Sequence, residues 1–105
     1  MITRFWTDIE PIHDKNGVTG RRIYDMIEGQ IIHMTLQRNS TLPAHKTPVN
    51  VVFYVLEGEI TIAIGDAEKL CSAGTLAESP KDIPHALHNR TEQVARLLVM
   101  KLPKP

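Results

Sequence analysis

Cysteine is nearly absent from this sequence. The single one, Cys71, rules out an internal disulfide, and a small packing role is expected of it. Charge of one sign is not in excess either, because 12 Lys and Arg balance 12 Asp and Glu. A broad surface for nucleic acid or anionic lipid needs a cationic surplus, so neither partner is expected. No apolar run approaches the roughly 20 residues of a membrane-spanning helix. The opening MITRFWTDIE carries acidic residues where a leader would be apolar, so a soluble cytoplasmic protein is expected. No stretch has a helical period with caps. GxSxG, CxxC, HExxH and a phosphate-cradling glycine loop are all missing, which leaves the common nucleophile, redox, zinc-protease and nucleotide chemistries without a motif.

What remains is strand signal. At 105 residues the chain has room for one domain, 1–105, around one core. Ile2–Trp6 reads as a first strand and Thr7–Gly20 as a long loop; Arg21–Ile27 and Gln30–Gln37 read as strands. Val51–Leu56 is an unbroken apolar run, as in a strand buried on both faces. Glu57-Gly58 reads as a tight turn joining it to the alternating Glu59–Ile64 in a hairpin. Glu68–Cys71, Thr75–Glu78, His85–Asn89 and Val94–Lys101 follow. Short strands at ~8–12-residue spacing, punctuated by Gly, Pro, Asn and Asp, predict an all-β sandwich or barrel. A net charge of zero favours self-association, and a homodimer formed through edge strands is expected.

Two stretches carry more than strand signal. Gly74, Pro80, His85 and Asn89 fall in the pattern G-x5-P-x-G-x2-H-x3-N, with Asp82 in place of its second glycine. Upstream, His45 precedes the block VFYVLEGE, Val52–Glu59. Together they resemble the two motifs of the cupins, which implies a double-stranded β-helix, or jelly-roll, barrel. In metal-binding cupins the first motif supplies two histidines and a glutamate, and the second supplies another histidine. By that resemblance His45 and His85 are the candidate ligands of a divalent transition metal (Fe, Mn, Ni, Cu or Zn), while Thr47 and Val51 stand where the other histidine and the glutamate would be. Asn50, Phe53 and Asn89, with Thr47 and Val51, are expected around the pocket.

Alternate residues of a strand share a face, so His45 and the residue two along both enter the barrel. The same parity sends His88 to the face opposite His85. His33 is expected on the surface or at a subunit interface, His13 in solvent, and Asn50 as a turn-capping amide. Glu57, Glu59 and Ser79 read as turn residues. The implied function is a pocket for a small organic metabolite, catalytic or sensing. A metal-free ligand module and a purely structural barrel are the alternatives. Histidine titrates near neutral pH, so the pair also suits general acid–base work.

Overall fold

The computed structural model describes the whole chain, Met1–Pro105. Ten strands follow in order: β1 (His13–Lys15), β2 (Val18–Met26), β3 (Gly29–Leu36), β4 (Ser40–His45), β5 (Asn50–Glu57), β6 (Glu59–Ile64), β7 (Ala67–Ser72), β8 (Leu76–Ser79), β9 (His85–Asn89) and β10 (Ala95–Leu102). They form two antiparallel sheets, a six-stranded one ordered β1-β2-β3-β10-β5-β8 and a four-stranded one ordered β4-β9-β6-β7. The sheets face one another as an all-β jelly roll. No helix is long and apolar enough to cross a membrane.

The core lies between the sheets. Ile32, Met34 and Leu36 of β3, Val51, Phe53 and Val55 of β5, and Ala95, Leu97 and Val99 of β10 point in from the larger sheet. Ile60, Ile62, Cys71 and Leu87 meet them from the smaller one. Each large side chain fully withdrawn from water here, such as Phe53 or Leu87, stabilises the fold by about 1.5–3 kcal/mol. Cys71 is one of these packing residues.

Three sequence expectations change. The run Val51–Leu56 is not buried on both faces. Val51, Phe53 and Val55 are buried, whereas Val52, Tyr54 and Leu56 lie on the half-exposed outer face, where apolar side chains hide the alternation. Nor does Gly58 close a hairpin. β5 pairs with β10 and β8, and β6 with β7 and β9, so Gly58 is the corner at which the chain leaves one sheet for the other. Its φ is 73°, and a Cβ at that position would lie 2.7 Å from the Val94 carbonyl oxygen, so only glycine fits there without strain.

Finally, Ile2–Trp6 forms no strand. Trp6–Asp8 is a single 3-10 turn, and the first paired residues are His13–Lys15, joined to β2 through Asn16 and Gly17, both at positive φ. An Asn-Gly pair at a two-residue connection is a strong hairpin signal, and it lies inside the stretch that reads as loop.

Candidate functional site

His45 and His85 meet because β4 carries one extra residue. Leu42 pairs with Leu87, yet His45, not Ala44, stands opposite His85, so a bulge falls at Pro43-Ala44. With regular pairing Ala44 would face inward and the histidine would face out. The bulge reverses that phase.

The two rings sit edge to face, with centroids 4.6 Å apart and their Nε2 atoms 3.3 Å apart. His85 is buried, 3% exposed, and Phe53 closes on its other side with ring centroids 5.2 Å apart. His45 lies above it at the exposed mouth. The outer nitrogens are also engaged: His45 Nδ1 is 3.1 Å from the Pro43 carbonyl oxygen, and His85 Nδ1 is 2.8 Å from the buried Ser79 hydroxyl.

These contacts assign the protons. A carbonyl only accepts, so His45 Nδ1 donates and its Nε2 presents a lone pair. Burial, then the charge His45 gains when protonated and that of Lys101, push His85 down to about 4, so it is neutral near pH 7 and holds one proton. The short Nε2–Nε2 contact is then a hydrogen bond only if His85 donates to His45, which leaves His85 Nδ1 to accept from Ser79. The result is a one-directional chain from the Ser79 hydroxyl through His85 and His45 to the Pro43 carbonyl, with all four ring nitrogens partnered.

Beside this pair is space. A chamber of about 60 Å³ lies between His45, His85, Thr47 and Lys101 on its polar side and Ile32, Met34, Phe53 and Val99 on its apolar side, with Leu42 at its edge. It adjoins an outer hollow of about 410 Å³ that shares Ile32, Met34, Leu42, His45 and Lys101 and extends to Ile12 and His13. Lys101 comes from the sheet facing the histidines, in the inward phase of Leu97 and Val99. Burial, reinforced by Arg22, holds its ammonium below the usual lysine range.

The family model described as the cupin domain matches residues 32–101, two thirds of the chain. The chain belongs to the cupin family. Solved structures share this cupin's fold. TT1209 from Thermus thermophilus superposes with a TM-score of 0.86 at 23% identity, covering 100% of both chains. The polyketide cyclase RemF from Streptomyces resistomycificus gives 0.82 at 23% identity, covering 99% of this chain and 81% of its own. A predicted oxalate decarboxylase from Thermotoga maritima gives 0.83 at 19% identity, covering 97% of this chain and 99% of its own. No curated protein matches the chain.

Thr47 and Phe53 of this cupin reach the chamber. Three other expected pocket residues do not. Val51 is buried and faces inward, but it packs in the core next to Ser79, outside the chamber lining. Asn50 is exposed, and its Oδ1 accepts the Lys81 backbone N–H at 3.0 Å, so it ties a turn. Asn89 lies about 13 Å along β9 from His85. There its amide donates to the Leu36 and Gln93 carbonyls at 3.0 and 2.7 Å and its Oδ1 accepts from Thr91, bracing the β9–β10 connection.

His88 is half-buried against the Thr41 hydroxyl at 3.1 Å, away from the chamber. His13 is not free in solvent but half-buried at the outer hollow. His33 is not at the surface: it is 3% exposed, beneath Trp6. Lys101 is the polar chamber residue that strand parity alone reveals, since it follows Leu97 and Val99 at intervals of two.

The donor set falls short of the three or four protein ligands of a usual metal centre. No group of three His, Cys, Asp or Glu side chains converges anywhere in the structure. Two imidazoles remain, with a threonine hydroxyl and a lysine beside them. A lone imidazole pair facing an ammonium does not fit a resident hard divalent cation.

Proposed function

We propose that this cupin binds a small organic metabolite in the chamber under His45, without a metal, and that His45 and His85 serve as its proton-exchanging wall. The observation that carries this reading is the hydrogen-bonded chain Ser79–His85–His45–Pro43, which satisfies every ring nitrogen with protein groups alone. His45 is its accessible end. Taking a proton from a bound molecule requires the Nε2–Nε2 hydrogen bond to open: the freed lone pair of His45 Nε2 receives the proton, His85 keeps its own Nε2–H and stays neutral, and the Pro43 carbonyl holds the His45 ring in place. A barrel with a purely structural role would fill its interior with its own side chains; the chamber of about 60 Å³ beside His85, continuous with the outer hollow, supports a ligand instead.

A second reading has one observation in its favour. Two nitrogens each about 2.0–2.1 Å from one ion at a near-tetrahedral angle are about 3.3 Å apart, the separation seen here. Calorimetric titration with Fe, Mn, Ni, Cu and Zn separates the two. No stoichiometric binding is expected, and a screen of metabolites by thermal shift on metal-free protein is expected to yield hits that His45→Ala weakens. Stoichiometric binding of an ion, lost in the His45→Ala/His85→Ala double variant, would replace the metal-free reading.

A second copy of the chain is the proposed partner. Zero net charge removes long-range repulsion, and Tyr54 and Leu76 stand in register on an exposed outer sheet face. Sedimentation velocity should give twice the 11.8 kDa chain mass.

A further inference from the structure

We infer that the chamber's ligand is a carboxylate with an apolar body, and that Lys101 holds its charge. The inference rests on the ligand-binding reading above and adds the chemical class.

Four observations lead to it. Lys101 lines both the inner chamber and the outer hollow, so it borders the whole path a ligand would occupy. None of the five ion pairs in the protein includes it, and no acidic residue lines either space. A half-buried ammonium in an apolar wall without a counter-charge is costly, and an incoming anion relieves that cost. Its register partner on β5 is Val51, the position at which the cupin motif would supply a glutamate. Where the pattern calls for a negative group that attracts a cation, this chain has an apolar residue and, alongside it, a lysine.

The charged group nearest Lys101, Arg22, has the same sign, and its own counter-charge, Asp25 at 4.0 Å, lies outside both spaces. Arg22, close enough to lower the Lys101 pKa, has a buried Nε with no hydrogen-bond partner. The rest of the lining sets the shape of the ligand. Ile32, Met34, Phe53 and Val99 offer no polar group, and Thr47 adds one hydroxyl beside the ammonium. The inner space takes only a few heavy atoms, so the body of the ligand extends outward past Met34 and Leu42. A short branched or aromatic carboxylate matches both halves. A charge-assisted hydrogen bond in a site screened from water favours the anion over its neutral isostere by roughly tenfold or more.

The test compares isovalerate with isovaleramide, which share an apolar body and differ in charge, by titration of 15N-labelled wild-type protein. Isovalerate is expected to shift the amides of Thr47, Phe53 and Lys101 and to bind at least tenfold tighter than isovaleramide. Lys101→Met should remove that preference by weakening isovalerate at least tenfold, while Lys101→Arg should retain most of it. Inorganic phosphate, which has charge but no apolar body, should bind more weakly than isovalerate; equal binding overturns the assignment to an organic carboxylate. If isovaleramide binds as tightly as isovalerate in wild type, the anion inference fails while the ligand chamber stands. If neither shifts those amides up to its solubility limit, both fail. The wild-type comparison is decisive even if the Lys101→Met variant does not fold.

Discussion

His33 and His85 are buried to the same degree, 3% exposed, in opposite kinds of place. His33 stands on the outer face of β3, roofed by Trp6, whose ring stacks on it at 4.2 Å and 20°. Arg96 donates to its Nε2 at 3.0 Å and to Glu57 at 2.8 Å, and lies 5.2 Å from the Trp6 ring centre. Arg21 approaches the same ring at 6.0 Å and donates to the Ile9 carbonyl at 2.6 Å, so the N-terminal segment is pinned over the sheet. His85 has Phe53 and Ser79 at its back and open space in front. Burial lowers both pKa values, and a neighbouring positive charge lowers them further. The perturbed titration therefore does not distinguish a functional site from a structural one; the unfilled space beside the ring does.

The comparison breaks most sharply at Trp6. Trp6→Ala is expected to cost about 3 kcal/mol in urea denaturation, because a large half-buried ring and its stacking are lost together. By NMR the His33 pKa should rise toward its ordinary value, and His85 should not move. Next in size is acid. A histidine whose pKa is lowered on folding binds fewer protons in the native state than in the unfolded chain between the two values. Stability is then full above about pH 6.5 and falls as pH drops. His85, at about 4 in the folded protein, accounts for a loss of about 2–3 kcal/mol across that window. His33 adds to the loss in the same direction. His85→Gln should flatten the slope of stability against pH between 6.5 and 4, and an unchanged slope would discard the assignment.

Ser79→Ala follows, at about 1–2 kcal/mol, since it leaves His85 Nδ1 without its donor. The 15N shifts of His85 should report a changed tautomer, and those of His33 should not. The smallest effect is expected from Glu57→Gln. Its ion pair with Arg96 is half-exposed, and the loss should stay below about 1 kcal/mol and shrink with added salt.

Much of the fold could be read from short-range signals. Strand content, the Gly74–Asn89 pattern and the VFYVLEGE block are local, and they are enough to identify the jelly roll. What escaped depended on long-range partners. Gly58 has the same positive φ in a hairpin or at a corner between sheets; only the pairing of β5 with β10 and β6 with β9 separates the two. His33 is covered by Trp6, far back in the sequence, and nothing around Ile32 or Met34 announces it. Asn89 fits its motif, yet its role is to hold a turn. Lys101 ends an apolar strand and so resembles a solvent-facing flank. Its inward phase becomes clear only by counting back through Val99 and Leu97.

The extra residue at Pro43-Ala44 has a consequence for how this site can vary. β4 is an edge strand, paired on one side only, so a change in its length meets little resistance from the sheet. Deleting Pro43 or Ala44 would remove the bulge and leave His45 opposite His85 in regular pairing, whereas inserting one more residue there would present Ala44 to His85 and turn His45 outward. Strand length at this edge thus selects which side chain stands at the mouth, and among barrels of this shape a one-residue insertion can change that chemistry without any substitution in the core.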